Sequence, residues 1–119
     1  MPKAYLAEFE NSRPPFDVFQ KIGHTGHNDA QKRLDWITSE YPHYKARVLA
    51  AVYHHDIEFC KGVEEAFKVM YPKNFWVEEK ISGVTEIVKL NSDDRTKVIQ
   101  QFRTLNEKTK KELFSEDRT

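Results

Sequence analysis

The sequence predicts a small α+β domain, with a mainly antiparallel three-stranded central sheet flanked by helices and an additional C-terminal helix. Three observations carry this. Lys3 to Phe9 alternates, with Tyr5, Ala7 and Phe9 on one side and Leu6 on the other, the period-two signature of a strand. Lys45 to Tyr53 contains the dense run Val48-Leu49-Ala50-Ala51-Val52-Tyr53, which reads as a central strand buried on both faces. Ala30, Leu34, Ile37 and Tyr41, and later Phe59, Val63, Phe67 and Met70, recur at helical spacing.

The elements follow in order. Glu10 to Pro15 carries Asn11, Ser12, Pro14 and Pro15 and reads as a loop. Phe16 to Gly23 reads as a second strand, close enough to the first to form a hairpin. His24 to Asn28 is a polar, glycine-containing turn, and Asn28 or Asp29 is placed to cap the first helix, which ends at Pro42. Asp56 is placed to cap the second helix, which ends at Tyr71-Pro72. Phe75-Trp76-Val77 and Val84 to Leu90 read as short strands separated by Ser82-Gly83. Ser92 or Asp93 caps a last helix whose stripe is Val98, Ile99, Phe102 and Leu105, and the charged tail from Lys108 is expected to fray. This divides the chain into a domain over 1–91 and a C-terminal helix and tail over 92–119. The last stripe suits packing on its own domain or on a second copy, so a homodimer stays open.

Composition bounds the function classes. At 119 residues the chain is long enough for one modest core. No run approaches the roughly 18 apolar residues of a membrane span, and Met1-Pro2-Lys3-Ala4-Tyr5 leads straight into strand-like sequence without the apolar stretch of a signal peptide, so none is expected. Cys60, the single cysteine, excludes an internal disulfide and a multi-cysteine zinc site. A cytoplasmic setting is expected. The 19 basic and 19 acidic residues cancel, which argues against gripping nucleic acid by bulk charge. The charges are uneven, however: 21–50 lean basic and 51–80 acidic, so a local basic face is compatible with neutrality.

The chemistry-bearing residues form an ordered pattern. Tyr5 lies on the first strand, Lys21-Ile22-Gly23-His24-Thr25 closes the second, Arg33 lies on the first helix, Glu64 on the second, and Asn74 follows Tyr71-Pro72-Lys73. On the first helix Arg33 lies roughly 70° from the apolar stripe while Lys32 lies nearly opposite it. Glu64 sits at the margin of its stripe and Glu65 faces outward. Taken alone, Arg33 and Glu64 would read as a salt bridge or as stems covering core edges. In this order the set resembles the GIY-YIG nuclease superfamily over about residues 3–77. Tyr5 in Ala-Tyr-Leu matches the tyrosine of the first motif, and Lys21-Ile22-Gly23 matches the second with lysine in place of its tyrosine, a form that recurs in a phage- and virus-associated branch.

The resemblance implies a metal-dependent endonuclease acting on DNA, in a bacterial or phage-infected host cell, with RNA as the other candidate substrate. It implies that Glu64 binds Mg²⁺ or Mn²⁺, a hard ion suited to oxygen ligands, that Arg33 clamps the phosphate, and that Tyr5 positions or deprotonates the attacking water. His24 is the candidate accessory base. Lys21, Lys32 and Asn74 are the candidate substrate contacts. The alternative is a catalytically inactive nucleic-acid- or protein-binding module on the same fold, with Lys21 marking lost chemistry. Other features point to structure. His54-His55-Asp56 places neighbours on opposite faces of a strand, Cys60 reads as a buried apolar residue, and Phe75-Trp76 reads as core or sheet edge before it reads as a base-stacking pair.

Overall fold

The computed structural model describes residues 1–26, 29–75 and 87–116, with side chains as far as residue 110. The elements are β1 (Lys3–Asn11), β2 (Val18–Thr25), α1 (Ala30–Thr38), β3 (Tyr44–Tyr53), α2 (Ile57–Met70), β4 (Ile87–Val88) and α3 (Ser92–Glu116). The α+β architecture is the expected one, with a sheet of four antiparallel strands rather than three, in the order β3-β1-β2-β4.

Two packed layers hold the sheet. On one face Tyr5, Ala7, Phe9 and Phe19 meet Ala30, Leu34 and Ile37 of α1. On the other, Ala4, Leu6, Ile22 and Val52 meet Cys60, Val63 and Phe67 of α2 and Val98 and Phe102 of α3. The helix stripes thus face the sheet as their spacing demands. On α2 the buried line runs through Cys60, and Met70 is exposed. The third helix packs on its own domain, and its described helix continues through the charged residues to Glu116. No helix among the described residues is long and apolar enough to cross a membrane.

β3 is an edge strand, not the central one; β1 holds the centre. Its apolar run has a different cause. α1 and α3 pack over its two faces, so an edge strand is covered on both sides. A bulge opposite Leu6/Ala7 leaves Leu49 without a cross-strand partner, so that Leu49 and Ala50 both face the α2/α3 layer.

The boundaries move for local reasons. β2 starts at Val18 because Phe16 adopts a left-handed backbone (φ 62°), its N–H donating to Arg13 O at 2.7 Å. It runs on through His24 and Thr25, so these are strand residues rather than turn. Asp29 caps α1, accepting from the N–H groups of Gln31 and Lys32, while Asn28 and His27 lie outside the described residues. Asn91 caps α3, its Oδ1 accepting from the Asp94 N–H at 2.8 Å, one residue before the expected cap. The expected strand at Phe75 is a single bridge to Ile87; Trp76, Val77 and 84–86 lie outside the described residues.

One polar group crosses the buried layer. Glu8, 2% exposed on β1, accepts from Arg95 of α3 (2.8 Å), Arg47 of β3 (2.9 Å) and Gln20 of β2 (3.0 Å). Gln20 in turn accepts from the Leu90 N–H at 2.8 Å. Burial alone would raise the Glu8 pKa, but the three donors outweigh it and hold the carboxyl below its ordinary value.

Candidate functional site

The antiparallel register of β1 and β2 sets Tyr5 opposite Gly23. A Cβ at Gly23 would lie 2.8 Å from Tyr5 Oη and 2.9 Å from Cζ. The missing side chain is therefore what allows the Tyr5 ring to lie across β2. Two residues back on the same face, Lys21 Nζ donates to Tyr5 Oη at a long 3.4 Å and stands 5.7 Å from the ring centroid.

Both groups have pKa values shifted by their surroundings. Burial lowers the Lys21 pKa to about 8, with Arg33 and Lys68 adding repulsion and Glu64 opposing it. Burial raises that of Tyr5, with Arg33 opposing and Glu64 adding to the shift. Charges from α1 and α2 thus act on the same lysine–tyrosine pair, which brings Tyr5, Lys21, Arg33 and Glu64 into one electrostatic neighbourhood.

Arg33 is half-buried in α1. Among the described residues it makes no ion pair with a carboxylate; its guanidinium lies 4.9 Å from the centroid of the Trp36 ring. A cation that close to the core with no counter-ion is a natural anion site. On the α2 side, the Glu64 side chain is 15% exposed, with Oε2 3.0 Å from His24 Nδ1 and Oε1 3.5 Å from Lys68 Nζ.

His24 lies on the strand face that points toward α2, where it partners Glu64. Lys32 is exposed, and its backbone N–H donates to the Asp29 cap at 3.3 Å. Asn74 clips the chain to β4: its Oδ1 accepts from the Lys89 N–H at 2.7 Å and its Nδ2 donates to Lys89 O at 3.4 Å. Its amide is therefore engaged by backbone on both sides. His54 and His55 lie in the β3–α2 connection, with rings stacked 4.4 Å apart and His54 Nδ1 accepting from the Asp56 N–H.

Two residues near the cluster escaped the sequence reading. Lys68 is four residues beyond Glu64, on the same helix face, and that spacing was the signal that would have found it. Trp36, three residues after Arg33, sits 61% exposed beside the arginine.

Among the described residues no three His, Cys, Asp or Glu side chains come together to hold a metal. Glu64 is the one carboxylate of the cluster. That fits a hard ion that keeps most of its water and takes its remaining ligands from a phosphate. It does not fit a fully protein-liganded ion. Lys68, about a third exposed and at 3.5 Å, is the contact that would give way. An apolar groove of about 740 Å³ lies elsewhere, between α2 and α3, and Lys97 is its one charged lining residue. It contains no member of the cluster and no carboxylate. No protein-family model, curated protein or solved structure matches the chain.

Proposed function

We propose that the chain is a metal-dependent endonuclease that binds nucleic-acid phosphate at the end of β2 beside Gly23 and hydrolyses the phosphodiester there. The observation that carries this reading is that Arg33 and Glu64, from two helices, both act on the Lys21–Tyr5 pair beside Gly23. Arg33, without an acidic partner among the described residues, receives a phosphate oxygen through its planar fork. Lys21 adds a second positive charge when protonated. Glu64 holds the Mg²⁺ or Mn²⁺, with His24 fixing the carboxylate through Oε2. When bound, such an ion lowers the pKa of a coordinated water and stabilises charge on the phosphate. Tyr5, held protonated by burial, orients water or phosphate as a hydrogen-bond donor.

The second reading, a module that binds nucleic acid without cleaving it, has its own observation in favour: both Glu64 oxygens already have partners in His24 and Lys68. Incubating supercoiled plasmid with the protein and Mg²⁺ or Mn²⁺ separates the two. Nicking that is lost in both Glu64→Ala and Arg33→Ala is the expected result. Binding that persists without cleavage, and that weakens in Arg33→Ala, selects the module instead.

A further inference from the structure

The exposed Trp36 is the feature the proposed chemistry leaves unexplained. An indole 61% exposed on a helix exposes apolar area to water that Ala30, Leu34 and Ile37 of the same helix avoid. Arg33 covers one side of the ring at 4.9 Å, and among the described residues no other aromatic or cation packs on it. The guanidinium that would take a phosphate therefore also orients a flat apolar platform next to that phosphate. Net charge points the same way. With 19 basic against 19 acidic residues, the chain lacks the excess of cations by which duplex binders neutralise a long backbone. Stacking on an aromatic ring supplies affinity without net charge, and every base offers a face for it.

We propose that the substrate is nucleic acid with an unpaired base beside the bound phosphate, and that this base stacks on Trp36. A base held in a duplex has both faces covered by its neighbours and cannot reach the ring. Single strands, flaps and frayed ends can. The inference rests on the phosphate site proposed above and narrows its substrate class. Trp36 acts here by positioning the strand, not by touching the reacting atoms.

The test is equilibrium binding in the presence of a chelator, which stops metal-dependent cleavage. The probes are a labelled oligothymidylate of about a dozen nucleotides, within the span of known single-strand sites, and a blunt duplex of the same length. The proteins are wild type, Trp36→Ala, Trp36→Phe and Arg33→Ala, each with its thermal midpoint measured. The wild type is expected to bind the single strand more tightly than the duplex. Trp36→Ala is expected to lose roughly tenfold on the single strand, little on the duplex, and to keep its thermal midpoint. Trp36→Phe, which keeps a ring, is expected to retain most of the single-strand affinity. If Trp36→Ala and Trp36→Phe leave single-strand binding untouched while Arg33→Ala weakens it, the platform is wrong and the phosphate site stands. Loss on both probes with a lowered midpoint gives Trp36 a structural role and also overturns the platform. If the wild type binds neither probe, the phosphate site itself fails and takes this inference with it.

Discussion

A single missing Cβ organises the candidate site: at Gly23 any side chain would collide with the Tyr5 hydroxyl, and the Lys21–Tyr5 pair depends on that clearance. The pair has a pH signature. The folded-state pKa of Lys21, about 8, lies below its ordinary 10.5, so between these values the unfolded chain binds more protons and stability rises with pH. Tyr5 works in the opposite sense above about pH 10, where the unfolded phenol ionises before the buried one. Urea unfolding of Lys21→Met should therefore show higher stability than wild type at pH 7 and a flatter climb from pH 8 to 10. Part of the climb should remain, because burial also lowers the Lys3 pKa. A wild-type slope left intact in the variant would mean that Lys21 is not shifted. The elements that carry Tyr5, Lys21, Arg33 and Glu64 were legible in the sequence, because strand alternation and helical spacing place them on β1, β2, α1 and α2. Trp36 was not, since an exposed aromatic leaves no periodic trace. The direction of His24 was hidden too, because it required knowing that β2 runs two residues past the glycine.

At the level of elements, helix faces were the most legible part, since a 3.6-residue period states which side must be buried. Sheet order was not. Val48 to Tyr53 looks central because both faces are covered, and only the positions of α1 and α3 reveal that the covering helices, rather than neighbouring strands, are responsible. The polar tie of α3 to the sheet was equally hidden, since Arg95 meets Glu8 across 87 residues of chain. That junction is testable. Glu8→Ala leaves the buried Gln20 amide without its acceptor while the partly exposed Arg95 and Arg47 turn to water, and should cost about 1–3 kcal/mol in urea unfolding, the range for an unsatisfied buried polar group. Arg47→Ala should cost far less, because that side chain is 65% exposed. The folded Glu8 pKa lies below its ordinary 4.5, so its stabilising effect is complete above that value and is lost as pH falls through the folded one. Glu8→Gln should flatten the acid limb below pH 4.5; an unchanged limb would show that other carboxylates set it.

For the whole molecule, neutrality is the governing quantity. If Lys21, Arg33 and Lys68 are the cations that meet phosphate, single-strand affinity should fall with salt at a log–log slope of about −2, from roughly 0.7 per phosphate. A titration giving a slope of −5 or steeper would mean that a much broader surface is engaged. The Glu8 junction also sets an order of events for the chain as it is made. Its three donors lie 12, 39 and 87 residues downstream, so a nascent chain presents the carboxylate first and its last partner, Arg95, only 87 residues later. Until then the sheet can pair, but its centre carries an under-compensated charge that favours water over burial. The long loop that Arg95 must close adds an entropic delay. Completion of the second core layer is thereby tied to the arrival of α3, and a ribosome-bound chain stopped before residue 95 should remain soft to proteases where a chain that carries α3 resists them.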